Sequence, residues 1–358
     1  MFTSGILAKR ATRLVVAGVA VAAGLMFTTQ PTSAFADTAP TPPEPETVSN
    51  DALPTVQVDG VVWTQVVVGD TVYAGGSFTT ARPAGAAPGT NTTPRTYILA
   101  YNITTGALIN SFAPTLNGQV LGLAASPDGT RIYATGDFTN VSGVNKYRAV
   151  ALNASNGSVI TSFSPGFNAR TRTVVATNDT VYFGGIFSNV SGVTRTRLAA
   201  VRASHGAVLD WAPTAGNNQV TSLALTPDRS KLVVGGSFTT LNGQTAYGLG
   251  AVDPATGATV PWDAANLIKN AGTKAGITNL TASNTAIYGT GYVYGSEAGI
   301  PKGNLEGAFS ASPNSGAINW VDSCHGDSYA SYAMNGVSYS VGHKHDCRGV
   351  GGFPQTEP

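Results

Sequence analysis

Both cysteines and three of the four histidines of this 358-residue chain lie between Cys324 and Cys347. The stretch opens Cys324-His325-Gly326-Asp327 and closes His343-Lys344-His345-Asp346-Cys347. Imidazole nitrogens and carboxylate oxygens are ligands for zinc and its neighbours in the first transition row. On a regular strand side chains alternate, so His343 and His345 share a face, with Cα atoms about 7 Å apart. His325 and Asp327 have the same spacing, and Asp346 falls on the face opposite the His pair. His325, Asp327, His343 and His345 are therefore a candidate site for a transition metal such as zinc. The alternative is a hydrogen-bonded polar network with no metal. The cysteines have two fates as well. A Cys324–Cys347 disulfide would close a loop of 23 residues, worth about 3 kcal/mol by loop entropy. Thiolate ligation of zinc is the other, and an oxidising compartment favours the disulfide.

The elements that would carry this cluster belong to a repeat. Val72-Tyr73-Ala74-Gly75-Gly76-Ser77-Phe78 returns as Ile132-Tyr133-Ala134-Thr135-Gly136-Asp137-Phe138, as Val181-Tyr182-Phe183-Gly184-Gly185-Ile186-Phe187 and as Val233-Val234-Gly235-Gly236-Ser237-Phe238. The Phe recurs after 60, 49 and 51 residues. Degenerate copies follow at Ile287–Val293 and Tyr339–His345, which makes six units. Each unit has one grammar. An apolar strand such as Val120–Ala125 runs into a turn such as Ser126-Pro127-Asp128-Gly129, whose Pro presets φ. The Gly-Gly-x-Phe strand comes next, then a polar loop with Gly, then a third strand such as Ala149–Leu152. A second turn such as Asn153–Gly157 leads to a fourth strand carrying Phe112, Phe163, Trp211, Trp262 or Trp320. A Gly inside a strand marks a bulge or the close approach of two backbones. The expected fold is all-β, a β-propeller of about six four-stranded blades. The last blade lacks two strands within the sequence. Thr55–Val58 is able to supply one of them, and the deficit points to a chain that continues beyond Pro358.

Residues 1–36 read as a secretory signal peptide, with Lys9, Arg10 and Arg13 before the apolar run Leu14–Phe27 and the cleavage signature Ala34-Phe35-Ala36. An uncleaved N-terminal anchor is the alternative. Residues 37–54, with Thr41-Pro42-Pro43-Glu44-Pro45-Glu46, form an extended linker, and 55–358 form the propeller. No later segment is long and apolar enough to cross a bilayer. Net charge is +1 and 11% of residues are charged, which argues against a nucleic-acid partner. A Gly-x-Ser-x-Gly elbow and a His-Glu-x-x-His helix are both absent from the sequence.

The phrases Gly75-Gly76-Ser77-Phe78-Thr79-Thr80, Ser126-Pro127-Asp128-Gly129-Thr130 and Ala255-Thr256-Gly257-Ala258 resemble the delta-60-type β-propeller repeats of secreted actinobacterial proteins. The resemblance covers about residues 55–358. Asn304-Leu305-Glu306-Gly307 and the two Cys/His phrases resemble the terminal part of that propeller. The resemblance implies export, and fusion to immunoglobulin-like PKD or lectin-like modules. It brings no catalytic residues. The expected role is a secreted, monomeric binding or scaffold module at the cell surface or in the extracellular matrix, recognising a glycan or a protein. The alternative is a metal-dependent hydrolase or oxidoreductase using the His/Asp cluster.

Overall fold

A strand, a tight turn and a second strand rich in small residues make a hairpin, and hairpins are what this chain stacks. The structure is a computed structural model in which residues 48, 54–322, 324–348, 351 and 354 are described. The expected signal peptide and nearly all of the expected linker lie outside the described residues. Two compact units are distinguished, Met1–Asp51 and Ala52–Pro358, and the second carries all that follows.

The fold is all-β, made of small antiparallel sheets. In unit I the inner strand Val61–Val68 pairs with Thr71–Ser77, which pairs with Ile98–Asn102. Unit II repeats this with Val120–Ala125, Arg131–Gly136 and Ala149–Asn153. Unit III uses Thr171–Ala176, Thr180–Gly185 and Leu198–Arg202. Unit IV uses Val220–Leu225, Leu232–Gly236 and Leu249–Val252. Unit V has four strands, Ala275–Ala282, Ile287–Val293, Gly307–Ala311 and Ile318–Asp322. Unit VI is the hairpin of His325–Met334 with Val337–Asp346. The inner strands of successive units pack side by side.

Two expectations are corrected. Among the described residues a full fourth strand exists only in unit V. In units I to IV it shrinks to single bridges, Tyr101↔Leu108, Leu152↔Val159, Val201↔Val208 and Val252↔Thr259. The reason is the aromatic residue that follows. In units I and II the chain turns at once (the Phe112 amide to Ile109 O, the Phe163 amide to Ile160 O). Phe112 and Phe163 thereby become fully buried, and Trp211 and Trp262 nearly so. Trp320, kept on a ladder in unit V, stays 38% exposed. Second, residues 55–58 do not complete unit VI. Gln57–Val58 pairs with Thr80–Arg82, and the Val56 amide donates to Gly106 O, so the segment lies along unit I.

The joints between units explain the repeated Tyr. Tyr73 meets Phe112 edge to face at 5.0 Å and donates from its hydroxyl to Ala154 O of the next unit at 2.8 Å. Tyr133 and Tyr182 do the same toward Ala203 O and Pro254 O. Buried and half-buried cations at the joints are capped by carbonyls instead of acids. Lys146 Nζ donates to Thr161 O at 3.1 Å and Phe163 O at 2.6 Å. Arg148 reaches Phe167 O, and Arg197 reaches Ala215 O. These bonds satisfy donors that burial would otherwise leave at a cost of about 1–3 kcal/mol each.

Candidate functional site at the central cavity

Each inner strand carries one residue too many. The register slips between Val62 and Thr64, Val120 and Gly122, Thr171 and Thr173, Val220 and Ser222, Ile277 and Asn279, and Ser328 and Ala330. The glycines of the repeat phrase make this possible. A Cβ on Gly76 would stand 2.0 Å from Val61 O, and one on Gly236 would stand 2.2 Å from Gln219 O. The carbonyl of the bulged strand fills the space that any larger residue would need. The extra residues are Trp63, Leu121, Arg172, Thr221, Thr278 and Tyr329, and all six line one cavity of about 440 Å³.

Two more positions of the repeat flank the bulge. The residue two before it is Val61, Gln119, Arg170, Gln219, Gly276 or Asp327, and the residue after the second glycine is Ser77, Asp137, Ile186, Ser237, Tyr292 or His343. In units I to III polar residues at or beside these positions join. Trp63 Nε1 donates to Gln119 Oε1 at 3.0 Å, and Gln119 Nε2 donates to Asp137 Oδ2 at 2.8 Å. Arg170 clamps the same carboxylate, Nε to Oδ1 and Nη2 to Oδ2, both at 2.7 Å. One network thus ties units I, II and III. Burial raises the Asp137 pKa, but the hydrogen bonds from Arg170 and Gln119 outweigh it and leave the carboxyl below its ordinary value. The same bond raises Arg170.

Burial lowers the Arg172 pKa, and Arg170 adds to this, while Asp137 and Tyr292 oppose it. Burial, with smaller contributions from Tyr294 and Asp327, pushes the Tyr292 hydroxyl up to about 12. Tyr292 stacks on Tyr294 with centroids 5.1 Å apart. Tyr292 of unit V thus feels the charge of Arg172 from unit III and that of Asp327 from unit VI. Exposed aromatics complete the wall: Trp63 at 53%, Tyr329 at 55% and Tyr332 at 67%.

The C-terminal cluster is arranged otherwise. Cys324 and Cys347 are joined in a disulfide that closes the open end of the unit VI hairpin. His325 pairs across the ladder with Asp346, and Asp327 pairs with His343. The ladder skips His345, so strict alternation fails at that step. The rings of His343 and His345 lie 6.2 Å apart. His325 Nδ1 instead faces Glu306 Oε2 at 3.4 Å, and Asp346 is held by Arg348 at 2.6 Å. Among the described residues no group of three or more His, Cys, Asp or Glu stands in a metal-holding arrangement. His325 and Asp346 are thus engaged by neighbouring side chains.

A larger cavity of about 840 Å³ lies between units III and IV, lined by Tyr182, Trp211, Asp179, Asp210, Arg229 and Asp253 among others. Two of its polar side chains, Trp211 and Asp253, are committed to the fold. Trp211 Nε1 donates to Asp253 O, and the Asp253 carboxylate accepts the amides of Ala255 and Thr256. A smaller version recurs between units II and III around Tyr133 and Arg131, so this groove is a product of repeat packing.

Reasoning from the sequence missed Trp63, Asp137, Arg170 and Arg172. Their signal was departure from the repeat, as with Asp137 where Ser77 and Ser237 stand elsewhere.

No family model matches the chain, and no curated protein matches it. Among solved structures it is similar to the hydrazine synthase of Kuenenia stuttgartiensis, at 12% identity and a TM-score of 0.48, covering 81% of this chain and 75% of that one. A TM-score of that size adds nothing to the reading of the fold. Among the described residues no helix is long and apolar enough to cross a membrane.

Proposed function

We propose that the chain is an exported β-propeller of six blades, the last incomplete, that serves as a binding module for an extracellular glycan at its central cavity. The observation that carries this is the meeting of exposed Trp63, Tyr329 and Tyr332 with polar side chains around one cavity. Sugar rings have apolar faces that cover aromatic rings, and hydroxyl rims that take directed hydrogen bonds. A concave site with a few fixed polar groups suits them. The Trp63 ring is already oriented by its bond to Gln119, so little side-chain entropy remains to be lost on binding. Export is supported by the basic-then-apolar N-terminus and by the disulfide.

The test is a glycan screen with the secreted chain, followed by titration of Trp63→Ala and Tyr329→Ala. Losing the contact of one ring costs about 1.5–3 kcal/mol, roughly 10- to 100-fold in Kd. Binding that is indifferent to both substitutions, or no glycan binding at millimolar concentrations, would reject the reading.

A further inference from the structure

Arg172 is the only charged residue among the six bulge positions. Its Nε is buried and has no hydrogen-bond partner. Arg95, Arg195 and Arg197 also leave a buried Nε unbonded, but their Nη atoms reach Pro94 O, Leu209 O and Ala215 O. Arg172 makes no hydrogen bond through its side chain to any described residue. Asp137, the acid in its neighbourhood, is already committed to Arg170 and Gln119. The fold caps its structural cations and leaves this one open beside the cavity.

An uncompensated guanidinium in a recess is costly unless an anion joins it. Its planar fork matches a flat two-oxygen acceptor. Arg170 is spent on Asp137, so one free positive charge, that of Arg172, faces the cavity. A carboxylate, with one charge, balances Arg172 where a phosphate would bring an excess. We propose that the cavity binds an acidic saccharide of the uronic-acid class, its carboxylate on Arg172 and a ring face on Trp63. This rests on the glycan reading above and names the ligand chemistry within it.

The experiment compares oligogalacturonate, oligomannuronate and glucuronate-containing oligosaccharides with their methyl esters, and with neutral cello- and chito-oligosaccharides. Binding to the full secreted chain is followed by calorimetry and by Trp fluorescence. At least one acid should bind roughly 10- to 100-fold more tightly than its ester, the range for a charge-assisted pair. Arg172→Gln should erase that preference while leaving ester binding in place, and its Tm should be unchanged or raised, because an unpaired charge is removed. Arg172→Lys should restore part of the preference. Equal binding of acid and ester by the unmodified chain, or a preference that survives Arg172→Gln, overturns the acidic-ligand inference while leaving the glycan reading standing. Binding of neither acids nor esters alongside binding of neutral sugars also overturns it. Binding of no saccharide at all overturns both.

Discussion

Cutting the clamp between Asp137 and Arg170 should loosen the joint between units II and III by a measurable amount. The pair is bidentate at 2.7 Å, and its side chains are 38% and 27% exposed for Arg170 and Asp137. Fully exposed ion pairs contribute roughly 0.2–1 kcal/mol, and breaking a fully buried one costs about 3–5 kcal/mol. Discounted for the water that reaches Arg170, the coupling here should be about 1–2 kcal/mol. At roughly 2–4 °C per kcal/mol, that is a fall of about 2–8 °C in Tm for Arg170→Ala. Asp137→Ala, Arg170→Ala and the double variant, unfolded in urea, give the coupling directly. The pH dependence has a definite sign. The folded Asp137 carboxyl is held below its ordinary value. Its contribution is therefore complete above the unfolded value near 3.9 and is lost as pH falls through the folded one. The gap between the unmodified chain and Arg170→Ala should be full at pH 7 and should narrow in acid below about pH 4. A coupling under about 0.3 kcal/mol, within the error of additivity, or a gap that widens in acid, would refute the reasoning.

Two further perturbations probe the scaffold. Gly236→Ala places a Cβ 2.2 Å from Gln219 O, whereas Gly295→Ala meets only the Lys274 side chain at 3.7 Å or beyond. The first should cost about 1–3 kcal/mol and the second almost nothing in urea unfolding, and equal costs would remove the bulge as the reason for the glycine. Reducing the Cys324–Cys347 bond releases a 23-residue loop, about 3 kcal/mol of chain-entropy stabilisation. Amide exchange should then rise first in Val337–Asp346, and unchanged protection there would mean that packing against unit V alone holds the hairpin.

The repeat was legible because it is written in residues whose packing leaves few choices. Gly75 and Gly76 announce a close approach, and a Cβ on Gly75 would meet Val120 Cγ1 at 2.4 Å. Phe78, Phe138, Phe187 and Phe238 announce burial, and all four are at most 3% exposed. The fourth strand was misjudged because a strand-like pattern says nothing about whether an aromatic side chain gains more by leaving the ladder. The strand alternation assumed for His343 and His345 met a different limit. A two-residue spacing fixes a shared face only on an unbroken strand, and the ladder skips His345.

The candidate site was hidden by the same regularity that revealed the fold. In an array whose units touch only their neighbours, a backbone position is presented again in every unit. Positions that must serve the joint are held alike, as with the Tyr hydroxyl of units I to III that seeks the next unit's carbonyl. The bulge position sends its side chain out of the sheet toward the cavity, and where it reaches the next unit it does so in different ways, Trp63 to the Gln119 side chain and Thr221 and Thr278 to the Ile277 and Ser328 carbonyls. It carries Trp63, Leu121, Arg172, Thr221, Thr278 and Tyr329, which share neither size, charge nor polarity. Packing alone would hold such a position to one kind of residue in all six units. Variation there, against the constancy of the buried Phe and of the joint Tyr, fits the proposed ligand, whose shape does not follow the repeat. Arg172 is then less an anomaly in unit III than the point at which the frame stops dictating the residue and the cavity begins to.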